Sequence, residues 1–223
     1  MGLVSWLIAL PLLTAAAVAA VPARRWRMIR WIAAAGTGAH LILTAATTVL
    51  FWQAAAPDAA AMEGALHTKL YLVEQAPWFK PLGIQYYVGV DGLSVSMTIL
   101  TSIIIFTGVL ASWDVATRTK EFFVLLLVLV TGVFGVFLSF DLFLFFMFYE
   151  LAVLPMYLLI GIWGTGPKEY AAMKLTLMLL VGSAFVLVGF LAVYHAAGLR
   201  TFDLLALGRA EFPSDFQKWV FPM

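Results

Sequence analysis

The sequence contains no cysteine, and histidine is sparse. Without cysteine the chain can form no disulfide, no thiolate metal site and no cysteine-ligated iron-sulfur cluster. The three histidines, His40, His67 and His195, are too far apart in sequence to suggest a metal site. We therefore expect this chain to bind no metal and no redox cofactor of its own.

Charge is also scarce. Charged residues make up 11% of the 223 residues and hydrophobic residues 64%, and the mean hydropathy is +1.01. So little polar surface cannot cover a soluble globule of this size, and the composition therefore predicts a protein embedded in a lipid bilayer. The formal net charge of +1 provides no basic excess for nucleic acid, so charged side chains must act individually.

Six stretches are long and apolar enough to cross a membrane. A helix needs about 20 apolar residues to span the hydrocarbon core, because its backbone polar groups must be paired internally. The stretches are residues 2–21, 28–53, 92–113, 122–140, 142–163 and 170–197. Positive charge follows the first stretch instead of preceding it, so we expect a retained helix and not a cleaved signal peptide. The sequence predicts an all-α, polytopic bundle of about six transmembrane helices.

These spans divide the chain into four parts. Residues 1–53 hold the first two transmembrane helices, residues 54–91 a loop, residues 92–198 helices three to six, and residues 199–223 a mixed segment. The loop contains Pro57, Pro77, Pro81 and Gly83, so we expect it to form at most a short helix. The last residues, 219–223, are expected to begin a seventh helix that the sequence does not complete.

Lysine and arginine are concentrated in the short links after the first, third and fifth spans. These links carry Arg24, Arg25, Arg27, Arg30, Arg118, Lys120 and Lys168. The longer link 54–91 carries only Lys69 and Lys80. Because cytoplasmic loops are enriched in lysine and arginine, we expect link 54–91 and both chain ends to lie outside the cytoplasm.

Glu150 is a charged residue inside a predicted span. It lies eight residues beyond Leu142, which corresponds to about 12 Å from the outer helix end. A carboxylate at this depth costs several kcal/mol unless it faces a protein interior, meets a cation or takes a proton. Pro155 cannot donate to the carbonyl of Leu151, which loosens the adjacent turn and leaves an acceptor for water. We interpret Glu150 as a proton-transfer residue; the alternative is that it only links helices by hydrogen bonds.

Three further charged residues are candidates near this site. Lys174, close to the cytoplasmic end of the sixth span, is a candidate charge-chain partner of Glu150, although its ammonium group could instead reach the membrane surface along its flexible stem. Asp91 and Asp141 each precede a predicted helix. We expect both to cap these helices, because a carboxylate there accepts hydrogen bonds from the unpaired first-turn N–H groups.

Other features of the spans indicate packing. His40, in the middle of the second span, is expected to be a hydrogen-bonded packing residue, with proton chemistry as the alternative. Gly132 with Gly135, and Gly182 with Ser183, are small enough for close approach between helices.

The residues around Glu150 form a distinctive sequence. They read GVFLSFDLFLFFMFYELAVLPMYLLIGIWG, followed by KEYAAMKLTLMLLVGS, with VGVDGLSVSMTILTSII upstream. From about residue 87 to about residue 205 this resembles the M-type (chain 4) antiporter-like membrane subunit of proton-translocating NADH:quinone oxidoreductase, respiratory complex I. The PMYLLIGIWG continuation resembles the M-type subunit more than the L-type or N-type subunits.

The resemblance implies the N-terminal portion of a fourteen-helix, proton-translocating subunit without a catalytic centre of its own. The complex would use NADH, FMN, iron-sulfur clusters and quinone on other subunits, in a bacterial inner membrane. In that family the helix-five glutamate, which Glu150 matches, pairs with a lysine on helix seven, and ionisable residues on helices eight and twelve complete the path. These later residues have no counterpart here. We therefore expect a truncated or split form whose partners are other membrane-arm subunits and the missing C-terminal part.

Two other functions remain open at this point. A subunit of a multisubunit cation/proton antiporter or of a membrane-bound hydrogenase would share Glu150 and differ in its neighbours. A non-pumping assembly fragment would only pack its helices against partners. Adjacent genes would distinguish an oxidoreductase subunit from an antiporter or hydrogenase subunit. The DNA downstream of residue 223 would show whether the reading frame continues.

The charge distribution makes a prediction about topology. Reporter fusions after Arg27 and Lys120 should behave as cytoplasmic, and a fusion within residues 54–91 should behave as external, because lysine and arginine favour the cytoplasmic side. The reverse pattern of reporter activity would contradict the orientation.

Overall fold

The computed structural model describes residues 2–59 and 70–220. Its long helices are α1 (Leu3–Ala20), α2 (Trp26–Ala59), α3 (Gly92–Ala111), α4 (Thr119–Leu138), α5 (Leu142–Trp163) and α6 (Lys168–Ala197). Each contains a stretch long and apolar enough to cross a bilayer. The predicted all-α bundle of six spans is therefore confirmed, and the chain is a multi-pass integral membrane protein.

The link between α2 and α3 differs from the expected loop. Strands β1 (Tyr71–Phe79) and β2 (Ile84–Val90) form an antiparallel hairpin, with Tyr71 opposite Val90 and Phe79 opposite Ile84. The prolines misled the prediction: Pro77 lies in a strand of a two-stranded sheet, where an unpaired edge tolerates it, and Pro81 lies in the 3₁₀ turn Lys80–Leu82 that joins the strands. Residues 60–69 of this link, including His67 and Lys69, lie outside the described residues.

Gly83 closes the hairpin turn. Its φ of 68° is in the left-handed region, where a side chain is strained. A Cβ at this position would also overlap the backbone carbonyl of Arg200. The turn therefore depends on glycine both for its conformation and for the close approach of the segment after α6.

The two ends of the bundle differ in character. Residues 21–25, 112–118 and 164–167 form the basic end. Residues 71–90, 139–141 and 198–203 form the hairpin end. Here the link between α4 and α5 is held on both sides: Phe140 N–H donates to Tyr87 O and Leu142 N–H donates to Phe202 O, each at 2.9 Å. The hairpin and the segment after α6 thus both fix the start of α5.

Helix α4 packs against both α1 and α5, and α2 packs against α1 and α3. Near the hairpin end, buried side chains from α1, α4 and β2 form one cluster that includes Leu7, Phe134 and Val88. Near the basic end, a second cluster includes Val18, Ile29 and Phe123. Helix α6 packs against α5 and is the least buried of the spans.

Two short helices follow α6. They are α7 (Leu204–Gly208) and α8 (Ser214–Val220). The seventh helix that we expected to begin at residue 219 therefore corresponds to a helix that already begins at Ser214. Residues 221–223 of that prediction lie outside the described residues.

The predicted packing role of Gly132 and Gly135 is confirmed. A Cβ on Gly132 would lie 2.9 Å from the carbonyl oxygen of Phe148 and 3.0 Å from Cβ of Ala152, and a Cβ on Gly135 would overlap the ring of Phe148. For Gly182 with Ser183 the outcome is divided: Ser183 is buried on α6, in agreement with close packing, whereas Gly182 is not. Among the described residues no atom lies within 4 Å of a Cβ built there, because that face of α6 is uncovered.

The contact between α4 and α5 can be tested with matched glycine substitutions. Gly135→Ala should destabilise the protein by about 1–3 kcal/mol, because the added methyl group displaces the Phe148 ring. Gly182→Ala should leave stability unchanged or raise it by up to about 1 kcal/mol, since alanine is the better helix former. Thermal unfolding in detergent measures both variants, and an equal effect of the two would contradict the packing described.

Candidate functional site

Glu150 lies on α5 where the sequence placed it. It is eight residues from the start of a 22-residue helix and is half-buried. Its Oε1 atom is buried and has no hydrogen-bond partner among the described residues. Such an oxygen costs free energy unless it is protonated or meets a donor, so Glu150 has an unmet polar requirement inside a membrane span.

A cavity of about 410 Å³ adjoins Glu150. It is lined by Val128, Met147, Phe148, Glu150, Leu151, Leu154 and Pro155. Because Pro155 has no N–H, the carbonyl of Leu151 lacks its usual donor four residues on. The carboxyl group and the loosened turn therefore border the same cavity, as the sequence predicted for their neighbourhood.

A second cavity, of about 780 Å³, extends from this region towards the hairpin end. Thr131 of α4 and Phe148 and Leu151 of α5 line it, together with Glu74 and Tyr86 of the hairpin. Phe148 and Leu151 line both cavities. These two side chains thus lie between Glu150 and the polar groups of the hairpin.

The structure does not bring Lys174 to Glu150. Lys174 is exposed on α6, with its Nζ 6.0 Å from the ring centroid of Tyr170. Lys174 is six residues into α6 and Glu150 is thirteen residues before the end of the antiparallel α5, which places them about 10 Å apart along the helix axes. This arrangement favours an ammonium group that reaches the membrane surface. A role for Lys174 in the charge chain stays a prediction.

Both predicted helix caps are confirmed. Asp91 Oδ1 accepts hydrogen bonds from the N–H and the hydroxyl of Ser94, each at 2.7 Å, at the start of α3. Asp141 Oδ1 accepts from the N–H groups of Phe143 and Leu144, each at 3.0 Å, at the start of α5.

Asp141 also reaches beyond its own helix. Its Oδ2 accepts from Gln85 N–H of β2 at 3.1 Å, and the residue is 1% exposed. Burial raises the pKa of Asp141, and the nearby carboxylate of Asp203 acts in the same direction, although the three backbone N–H donors oppose the shift. Asp141 thus joins the hairpin to α5 as well as capping the helix that carries Glu150.

His40 packs between three helices, as expected. Its Nε2 lies 2.9 Å from Leu7 O on α1, and its Nδ1 lies 3.3 Å from the hydroxyl of Ser102 on α3. The Leu7 carbonyl can only accept, so Nε2 carries a proton and donates it. Pro11 explains the contact, because without an N–H it cannot bond the Leu7 carbonyl itself. His40 supplies the donor that Pro11 lacks.

Glu74 is a polar site that the sequence did not reveal. From β1 it accepts hydrogen bonds from Gly2 N–H at 2.7 Å, Ser5 N–H at 3.0 Å and Ser5 Oγ at 2.6 Å. Burial acts to raise the pKa of Glu74, but these hydrogen bonds outweigh it and hold the pKa below the ordinary 4.5. One sequence feature could have indicated such a site: α1 has Gly2 at its cap position, and glycine has no side chain to cap the helix. Sequence alone could not say which distant residue replaces it.

Within residues 2–59 and 70–220, no three histidine, aspartate or glutamate side chains come together as a metal site would require.

The chain is similar in sequence to known membrane proteins. Residues 139–220 match the family of transmembrane domains described as NADH:quinone oxidoreductase/Mrp antiporter. NAD(P)H-quinone oxidoreductase chain 4 of Gloeobacter violaceus is 34% identical over 216 residues, which cover 97% of this chain and 39% of the relative. A chain 4 of Picosynechococcus sp. is 38% identical over 215 residues, covering 94% and 38%. The chain thus spans about two fifths of the length of the curated relatives it matches.

Solved structures share the fold. A chain in respiratory complex I from Thermus thermophilus with bound NADH matches with a TM-score of 0.80 at 24% identity, covering 98% of this chain and 42% of that chain. A chain in the Mrp complex from Dietzia sp. matches with a TM-score of 0.75 at 17% identity, covering 97% and 22%. At these identities the likeness shows a common fold alone.

The Glu74 contact makes a prediction about pH. Because the pKa of Glu74 is lowered in the folded protein, its contribution to stability should be present above pH 4.5 and should be lost as the pH falls through the folded-state pKa. The thermal midpoint of Glu74→Gln should lie below that of the wild type at neutral pH, and the difference should shrink in acid. The exposed Glu211→Gln provides the control, and a difference that does not depend on pH would refute the capping role of the carboxylate.

Proposed function

We propose that the chain is a membrane-arm subunit of an NAD(P)H-quinone oxidoreductase complex and contributes to proton translocation, because residues 139–220 match the family of transmembrane domains described as NADH:quinone oxidoreductase/Mrp antiporter. The names of the curated relatives, chain 4 of that enzyme in two bacteria, support this assignment. Since the chain spans about two fifths of the length of those relatives, we propose this activity for the assembled complex and not for the chain alone.

Glu150 is the residue on which the proposed proton transfer depends. Its Oε1 is buried beside a cavity at mid-span, and no described residue forms a hydrogen bond with it. A carboxyl group in such a place is cheaper to hold neutral than ionised, whereas a cation brought near it favours the carboxylate. Approach and withdrawal of a cation therefore release and reload the proton. Moving one proton against 100 mV requires about 2.3 kcal/mol, which is within reach of one charge contact made and broken in a poorly solvated site.

The cation comes from outside the described residues or from a rearranged α6. Lys174 is exposed and about 10 Å away along the helix axes in this arrangement. Part of the protein or complex that packs on the uncovered face of α6 would be well placed to bring a second cation, because α6 lies beside α5. NADH, FMN, iron-sulfur clusters and quinone would be bound by other subunits, in a bacterial inner membrane.

The runner-up function is a subunit of a cation/proton antiporter or a membrane-bound hydrogenase. The shared fold with a chain of the Mrp complex supports it. The identities of 34% and 38% to quinone oxidoreductase chains favour the first function. Genes for the other oxidoreductase subunits beside this one would support the first proposal, and antiporter genes would support the second.

Replacing Glu150 by glutamine tests the proposed proton transfer. In the assembled complex, Glu150→Gln preserves the side-chain volume and most hydrogen bonding but removes the exchangeable proton. Proton uptake by reconstituted complexes, and the quinone reduction coupled to it, should fall by about tenfold or more at equal assembly, as expected when an acid-base group is lost.

Two control variants belong to this experiment. Glu169→Gln removes an exposed carboxylate near the start of α6 and should pump at the wild-type rate. Asp141→Asn should mainly lower stability, by about 1 kcal/mol, because it weakens a helix cap. Wild-type pumping by Glu150→Gln would mean that the carboxyl group only links helices, since an amide does that equally well.

A further inference from the structure

A cavity of about 460 Å³ lies at the basic end, between the start of α2 and the start of α4. It is lined by Ala23, Trp26, Arg30, Ala116, Arg118, Thr119, Lys120 and Glu121. Three of these side chains are cationic and one is anionic. Within the described residues, none of the three cations forms a salt bridge. The cavity therefore has an uncompensated positive charge.

Arg30 is the buried member of this cavity. It is 8% exposed, its Nη2 donates to Val115 O at 3.1 Å, and its guanidinium lies 4.5 Å from the ring centroid of Trp26. Its Nε is buried and has no hydrogen-bond partner among the described residues. A buried guanidinium with an unused donor is costly, and an anion in the cavity would relieve that cost.

The start of α4 adds a second source of positive potential. No side chain caps this helix: Arg118 at the cap position has a left-handed backbone, with φ of 50°, and forms no side-chain cap hydrogen bond. The first N–H groups of a 20-residue helix therefore lack the acceptor that Asp91 and Asp141 supply to α3 and α5. Glu121 in the first turn offsets part of this potential. The free N–H groups and the helix dipole still favour an acceptor here.

From these features we infer that the cavity binds the phosphate of an anionic phospholipid. Arg30, Arg118 and the N–H groups of α4 would contact the phosphate oxygens, and Lys120 would lie at the rim. The concentration of arginine and lysine at this end indicates the cytoplasmic leaflet, where anionic headgroups attract such residues.

A lipid explains the position of the cavity better than a free anion does. The cavity lies where two apolar spans begin, so its opening is at the depth of the lipid headgroups. Trp26 at its edge is 42% exposed, and tryptophan prefers this interfacial layer. A lipid phosphate would arrive with acyl chains that cover the adjoining apolar helix surface, whereas inorganic phosphate would have only the polar contacts.

The test measures lipid bound to the full chain. The purified protein is titrated with phosphatidylglycerol, or with phosphatidylcholine of the same acyl chains, and bound lipid is counted by native mass spectrometry. We expect clear preference for phosphatidylglycerol in the wild type. Lys120→Gln should weaken this binding about fivefold, the usual effect of one basic residue near an anionic lipid. Arg30→Gln should weaken it further.

Arg25→Gln is the matched control, because Arg25 is exposed at the same end but does not line the cavity. It should change the binding less than twofold. Should Arg30→Gln fail to fold, Lys120→Gln still tests the inference, since Lys120 is only half-buried. Equal binding of the two lipids, an equal effect of Arg25→Gln and Lys120→Gln, or displacement of the lipid by millimolar inorganic phosphate would each overturn the inference.

Discussion

Inside a bilayer a backbone carbonyl has no water to accept from, so each proline in a spanning helix leaves a carbonyl that needs another donor. Pro11 leaves the carbonyl of Leu7, and His40 meets it from the neighbouring helix at 2.9 Å. Pro155 leaves the carbonyl of Leu151, which borders a cavity together with Glu150. The same constraint thus accompanies a closed packing contact at one site, and at the other a carboxyl group beside a cavity that is otherwise lined by apolar side chains. This difference is why Glu150, and not His40, is the candidate for proton transfer.

Charge at the helix starts follows a second pattern. The three spans that start at the hairpin end are α1, α3 and α5, and each receives a carboxylate at its first turn, from Glu74, Asp91 and Asp141 respectively. At the opposite end, α4 starts among cationic side chains without a side-chain cap. At the basic end, α4 has Glu121 in its first turn, but Arg118 at the cap position forms no side-chain cap hydrogen bond. The proposed lipid phosphate would supply the acceptor that the carboxylates supply at the hairpin end.

The sequence predicted those features of the structure that depend on a short stretch of residues alone. Apolar length placed six spans, and the short side chains of Asp91 and Asp141 before helices predicted caps that formed. Glu150 stood out because burial of charge in lipid is costly wherever the rest of the fold lies.

Contacts between distant segments were not predictable in this way. The hairpin was missed because its prolines were taken as loop signals, whereas proline is tolerated in an edge strand. Glu74 caps a helix that precedes it by about seventy residues, and its role depends on that missed hairpin. In the sequence, Arg30 was one of several basic residues in a link. Its burial and its Nε without a described hydrogen-bond partner result from the packing of α2 against the link before α4. The separation of Lys174 from Glu150 likewise depends on the relative depth of two helices.

In the proposed function, the Glu150 carboxyl group changes its protonation state during turnover. Infrared difference spectroscopy of the reconstituted complex measures this directly, because a protonated carboxyl group has a carbonyl stretch that shifts in deuterated water. We predict a carboxyl band that gains and loses intensity with substrate turnover and that is absent from the Glu150→Gln complex. A difference spectrum in which the carboxyl bands of wild type and Glu150→Gln are identical would contradict the account.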